Sequence, residues 1–297
     1  MAAMSKGSAS ALCLAPAALL ALGVQPATAA KKKPADLGKL KTATASATTT
    51  NDGQAVSVTA TCPDKTKAVG GGFDAPIATD MGALSSFHTV TESRRASGNS
   101  WRVNATRFDA NPVGPALVVT AEVYCRSGAG KIAERSDTDS ALDPTSYFTA
   151  VAACPLGRAL VGGGFQYSAG PQEVPLLMSQ NRPSGTVAWV ASGVGLAPGS
   201  QTLSAHAYCR KGPGAVRLRT GTAALPTTDT AVASAVTAPC PGKLQPFAGG
   251  YRSPGLGGSS ALAVHTESRR AGKSWRTSAI NISDPDPGQL SSFALCS

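Results

Sequence analysis

Aromatic residues are scarce, at 5% of the 297, and charged residues reach only 15%, well under the usual quarter. Hydrophobic content is an ordinary 42% and Val, Ala and Leu recur in patterned runs, which excludes a disordered chain. Heptads and a glycine period are missing, so coiled coil and collagen are excluded. Long stretches of helix formers are missing too. The 32 glycines and 21 prolines lie among Thr and Ser throughout, which excludes a bundle of long helices.

Chemistry-bearing patterns are equally thin. The chain has three histidines, His88, His206 and His265, no two of them close in sequence, so the cluster a zinc site needs is missing. There is no Gly-x-Ser-x-Gly elbow, and nothing places a base held by an acid beside a serine. Gly272-Lys273-Ser274 ends like a phosphate loop, but Glu267 stands where that loop needs its first glycine. The expectation is therefore no enzyme, no catalytic residue, no metal and no cofactor.

What is present begins with an export signal. Lys6 supplies a sparse positive start, residues 11–24 an apolar stretch, and Ala27-Thr28-Ala29 a small-residue cleavage site, so residues 1–29 read as a signal peptide. The apolar stretch is too short for a membrane span, and no other stretch approaches that length, so the mature chain is expected to lack a transmembrane segment. Cys13 lies inside the signal without a convincing lipoprotein box around it. Residues 30–36, with Lys31-Lys32-Lys33, read as a flexible basic arm. The net charge of the whole chain is +10. Six cysteines remain after the signal, an even number in an exported chain, which points to disulfides.

The rest of the chain repeats three times. Each copy opens with Cys-Pro, at Cys62, Cys154 and Cys240. Eleven residues later comes an aromatic preceded by glycines: Gly70-Gly71-Gly72-Phe73, Gly162-Gly163-Gly164-Phe165 and Gly249-Gly250-Tyr251. Each copy then has one tryptophan (Trp101, Trp189, Trp275) and closes on a cysteine (Cys125, Cys209, Cys296). The modules are assigned to 37–126, 127–211 and 212–297. Such self-similarity is the most specific signal in the chain.

Within a copy the hydrophobic period is two, the mark of strands with one buried side. Val56, Val58, Ala60 and Cys62 share a face, as do Phe148, Ala150, Ala152 and Cys154, and Val232, Val236, Ala238 and Cys240. The closing strands alternate alike, Leu117 to Cys125 and Leu203 to Cys209. Both cysteines of a copy fall on the buried side, so the expected bridges are Cys62–Cys125, Cys154–Cys209 and Cys240–Cys296. They close loops of 55 to 63 residues, worth roughly 4 kcal/mol each on the chain-entropy model. In copy one, strands are expected at 40–47, 55–62, 68–73, 84–94, 101–108 and 117–126. The fold class is all-β, with three tandem disulfide-stapled antiparallel sandwich or Greek-key modules. One pseudo-threefold body, such as a β-prism, is the alternative. The glycine runs mark a bulge or a tight backbone crossing.

Cys-Pro, glycines with an aromatic, Trp and a closing Cys together resemble a module of secreted, mostly uncharacterised proteins of high-GC Gram-positive bacteria. The pattern is also distantly similar to vitelline-membrane outer-layer protein, a β-prism of three repeats. The resemblance implies architecture and export, and carries no active site with it.

One polar constellation recurs. His88, Glu92, Arg94, Arg95 and Arg102 in copy one are matched by His265, Glu267, Arg269, Arg270 and Arg276 in copy three; copy two keeps only Arg182. With a strand period of two, His, Glu and the first Arg are expected on one face. Arginine forks suit carboxylate or phosphate. The expected function is a secreted, non-enzymatic binding or structural protein, possessing affinity for a cell-wall polymer, an acidic glycan or another extracellular protein. Alternatives are a lectin-like module stacking neutral sugars on Trp and Tyr, and a secreted hydrolase or protease inhibitor. Nucleic acid is disfavoured despite the basic pI, because interleaved aromatics and a recognition helix are missing. Asn104-Ala105-Thr106 and Asn281-Ile282-Ser283 match glycosylation acceptors.

Overall fold

A computed structural model describes residues 39–80, 83–109, 114–142, 146–169, 176–196, 198–212, 216–227, 231–253, 263–282 and 288–297. The signal peptide and basic arm assigned to 1–29 and 30–36 lie outside the described residues. Among the described residues every regular element is a β-strand, and no helix is long and apolar enough to cross a membrane.

The first repeat holds β1 (Lys41–Thr49), β2 (Ala55–Thr61), β3 (Lys67–Asp74), the short β4 (Ala78–Asp80), β5 (Ala83–Ser97), β6 (Ser100–Asp109) and β7 (Leu117–Arg126). The second holds β8 (Ile132–Ala141), β9 (Tyr147–Ala153), β10 (Arg158–Ala169), β11 (Leu176–Ser184), β12 (Ala188–Gly195) and β13 (Gln201–Lys211). The third holds β14 (Arg217–Leu225), β15 (Ala233–Val236), β16 (Pro246–Arg252), β17 (Ala263–Ala271), β18 (Ser274–Asn281) and β19 (Gly288–Cys296).

Each repeat folds as two antiparallel half-sheets. In the first these are β1-β7-β3 and β2-β6-β5. Val58, Ala60, Val103 and Ala105 of one half join Val119, Ala121 and Val123 of the other in one buried cluster. The bridge Cys62–Cys125 fastens the two halves, and Cys154–Cys209 and Cys240–Cys296 do the same in their own repeats. A unit of this size has little core of its own, so a covalent staple matters.

The half-sheets do not stop at the repeat. Strand β3 pairs with β17 of the third repeat, β10 with β5 of the first, and β16 with β11 of the second. The three sheets are β1-β7-β3-β17-β18-β15, β2-β6-β5-β10-β13-β8 and β14-β19-β16-β11-β12-β9. Every sheet is therefore completed by two repeats, and the pairing closes in a cycle. The expected all-β class is present, in three antiparallel sheets and three disulfides, and hydrogen bonding laces one repeat to the next.

The glycine run has a separate task at each position. A Cβ on Gly71, Gly163 or Gly249 would overlap Cδ2 and Cγ of that repeat's own tryptophan. A Cβ on Gly72, Gly164 or Gly250 would run into the backbone carbonyl of Ser268, Ser93 or Asn181 across the seam between repeats. A bulge precedes these glycines in each copy, at Ala68/Gly70, Leu160/Gly162 and Pro246/Ala248.

One expected face is corrected. In the third repeat Ala233, Ala235 and Thr237 are buried with Cys240, whereas Val232, Val236 and Ala238 point outward. Thr237 bonds Trp275 through its backbone, the place that Ala60 and Ala152 hold opposite Trp101 and Trp189. Three steps, not two, then separate Thr237 from Cys240. The extra residue reverses the parity counted back from the cysteine.

Candidate functional site

Glu92 and Glu267 lie at two of the three seams, and each organises the arginines around it. Arg102 donates to Glu92 through Nε at 3.0 Å and Nη2 at 2.8 Å, and Asn104 Nδ2 donates at 2.6 Å. Arg94 lies 2.8 Å from the same carboxylate, whose side chain is 1% exposed. Glu267 receives Arg276 Nη2 at 2.7 Å, Ser278 Oγ at 2.9 Å and Arg269 Nε. Arg269 also reaches across to Glu122 at 3.2 Å and Asp74 at 3.3 Å, both in the first repeat. Burial would push the Glu267 carboxyl up, but hydrogen bonds from Arg276, Ser278 and Arg269 hold it below its ordinary value. Desolvation raises Asp74. The arginine forks at both seams already face carboxylates of the chain itself. An incoming anion would have to displace Glu92 or Glu267.

The third seam is built without that charge. Gln180 replaces the glutamate and accepts Arg182 Nε at 3.0 Å. The Arg182 guanidinium lies 5.2 Å over the Phe293 ring. Phe293 faces Gly250 as Glu122 faces Gly72 and His206 faces Gly164. An arginine thus stands at every seam and only its partner changes.

The same seams place Arg95 and Arg270. Their backbone N–H groups donate to the hydroxyls of Tyr208 and Tyr124 from the adjoining repeat, each at 2.7 Å. Those tyrosines pack edge-on against Trp101 and Trp275, and burial raises both phenols. The third seam has Pro183 for the arginine and Leu295 for the tyrosine: a residue with no N–H to donate faces one with no hydroxyl to accept.

The histidines part from the constellation. The expected shared face of His, Glu and Arg is overturned by bulges between Val90 and Glu92 and between His265 and Glu267. His88 stands opposite Arg107, three pairing steps from Glu92 opposite Asn104. His265 is one step from Glu267. An odd number of steps turns each histidine to the opposite face. His88 Nε2 lies 2.8 Å from Thr49 Oγ1. His265 stacks on Tyr251 at 3.7 Å with Ser253 Oγ 3.1 Å from Nε2. The two flank a void of about 10 Å³ where β5, β11 and β17 meet, room for about one water.

Burial lowers His88 to about 4, aided by the Arg107 charge, and lowers His265 to about 3. Both are neutral in the fold at pH 7, while the unfolded chain protonates them near 6.5. A folded value below the unfolded one means stability is complete above pH 6.5 and falls as the pH drops toward 4. The slope approaches about 1.4 kcal/mol per pH unit per histidine. Urea midpoints measured from pH 7 to 4.5 should show this fall, and a His88→Gln, His265→Gln double variant should show a flatter profile.

The three tryptophans are at most 2% exposed. Their indole N–H groups donate to Ser93, Asn181 and Ser268. They form core and leave no ring for sugar stacking. A groove of about 340 Å³ does open on the outer side of the β2-β6-β5-β10 sheet, lined by Ser57, Thr91, Asn104, Thr106, Tyr167 and Ser168 among others. The two acceptor asparagines are engaged: Asn104 with Glu92, and Asn281 Nδ2 with the Pro226 carbonyl at 3.2 Å. Among the described residues no group of three His, Cys, Asp or Glu side chains gathers to hold a metal.

A feature missed from the sequence is the segregation of cations that make no salt bridge to an acidic side chain. Seam registers bring all three disulfides, and the three hairpin turns beside them, to the same end of the body. In the first repeat that end carries Lys41, Lys65, Lys67, Arg95 and Arg126. The second repeat adds Lys131, Arg158, Arg210 and Lys211. The third adds Arg217, Lys243, Arg270 and Lys273. Arg126 is 5% exposed; burial and the like charges of Arg210 and Arg270 lower it. The described acidic side chains of this end are Asp64 and Glu134, and Arg126 Nη2 donates to Ser297 O at 2.9 Å. The hydrogen bond to His206, at 2.7 Å, depresses Glu134. The signal was the position of lysines and arginines next to Cys-Pro turns and closing cysteines, scattered in sequence and gathered by the fold.

No protein-family model matches the chain, and no curated protein matches it.

Proposed function

We propose that this is a secreted, non-enzymatic binding or structural protein of the cell envelope, which associates with anionic polymer through its disulfide-bearing end. The observation that carries the reading is the gathering at that end of Lys and Arg that make no salt bridge to an acidic side chain, in a chain of net charge +10. The acids and arginines of the seams, in contrast, are engaged with one another, which favours scaffold over catalysis there. Three disulfides fit an oxidising compartment. A neutral-sugar reading is supported by the hydroxyl-lined groove rather than by tryptophan.

Retention on isolated cell walls or an immobilised acidic polymer tests the proposal. Raising ionic strength from about 0.01 M to about 1 M shortens the Debye length from about 30 Å to about 3 Å. Bound protein should be released over that range, and Lys65→Gln, Lys243→Gln and Lys273→Gln should move release to lower salt. Retention indifferent to salt would end the electrostatic reading.

A further inference from the structure

The cationic end is not uniform. At the turn after the opening cysteine, the first and third repeats carry Asp64-Lys65 and Gly242-Lys243, whereas the second carries Leu156-Gly157. At the adjoining hairpin turn, where a carbonyl accepts the N–H of that cysteine, Asn99 and Lys273 are matched by Val187. Leu156 is 104% exposed and Val187 is 52% exposed. Arg158 and Lys211 pair beside them. Two neighbouring turns of one repeat thus hold bare aliphatic side chains on the end where the other repeats hold Lys65, Asn99, Lys243 and Lys273.

A soluble polyanion would engage the lysines and arginines and leave Leu156 and Val187 in water. An anionic bilayer would use both. Its phosphates meet the cations, and the aliphatic tips enter the boundary between headgroups and acyl chains. We propose that the disulfide-bearing end docks on an anionic lipid surface, with Leu156 and Val187 inserted and the surrounding Lys and Arg on headgroup phosphates. This rests on the anionic-envelope reading and names its partner.

Co-sedimentation of the oxidised protein with vesicles of phosphatidylcholine, with or without phosphatidylglycerol, tests it beside binding to soluble polyphosphate. The protein should bind the phosphatidylglycerol vesicles and not the neutral ones. A charge-neutral double variant, Leu156→Ser with Val187→Thr, should bind those vesicles roughly tenfold more weakly and bind polyphosphate unchanged. Both residues are in exposed turns, so far-ultraviolet circular dichroism should match the parent. Lys65→Gln with Lys243→Gln should weaken both kinds of binding. Undiminished vesicle binding by the aliphatic variant overturns the proposal. So does binding to polyphosphate without binding to vesicles, which leaves the anionic-polymer reading standing. Binding to neither removes both.

Discussion

Gly163→Ala should lower the stability of the oxidised protein by about 3 kcal/mol or more, read as a shift in the urea midpoint. The new methyl group would overlap Cδ2 and Cγ of Trp189 and crowd the His206 carbonyl. The tryptophan cannot retreat, because it is fully buried and its N–H is tied to Asn181 at 2.6 Å. Gly71→Ala and Gly249→Ala meet Trp101 and Trp275 in the same way. Gly53→Ala is the control. Its φ of 67° is left-handed and nothing lies within 4 Å of the added carbon, so only the backbone penalty of about 1–2 kcal/mol applies. Equal losses at Gly53 and Gly163 would mean that the glycine run serves flexibility rather than the close seating of the tryptophan.

Asp109→Ala should cost about 3–5 kcal/mol, because it strands a buried charge. Arg107 has no exposed surface, and its Nε donates to Asp109 at 2.7 Å. Nη1 donates to the Thr49 carbonyl at 2.8 Å and Nη2 to Ser86 Oγ at 3.3 Å. Burial would raise the Asp109 carboxyl, yet hydrogen bonds from Arg107 and Ser86 and the guanidinium charge keep it below its ordinary value. Removing the carboxylate leaves the guanidinium with neutral acceptors only. Combining Asp109→Ala with Arg107→Met should recover part of the loss, since replacing both members of a buried pair is far milder than removing one. A double variant weaker than Asp109→Ala alone would contradict this.

Strand positions and bridges were legible because their causes are local in sequence. A period of two reports a half-buried strand wherever it occurs. The expected strands at 84–94 and 101–108 are observed as β5 and β6, lengthened at the ends. The cysteine pairs follow from two thiols on the inner face of the same repeat. Parity failed wherever one residue was added to a strand. A bulge turned His88 and His265 inward, and the additional step before Cys240 exposed Val232 and Val236. Neither alters composition or spacing in a way that periodicity detects.

The seams were the least legible feature, because they are joined by backbone. Their trace in the sequence is indirect: a glycine before each aromatic, an arginine two places after Glu92, Gln180 and Glu267, and the paired exchange of Arg and Tyr for Pro183 and Leu295. Each makes sense only once Phe73 is seen beside Ser268, Phe165 beside Ser93 and Tyr251 beside Asn181. Of the candidate arginines, Arg94 and Arg102 lie against Glu92, and Arg269 and Arg276 against Glu267. What sequence could not supply was that these four are held by glutamates, while Arg95 and Arg270 fall with the other cations beside the disulfides.

Amide hydrogen exchange followed across those three contacts tests most directly whether the repeats are laced into a cycle. Slow exchange is expected for the hydrogen-bonded amides of β3–β17, β5–β10 and β11–β16, at rates comparable to those between β6 and β5 inside one repeat. Rapid exchange at all three, with protection confined to strands within a repeat, would contradict it.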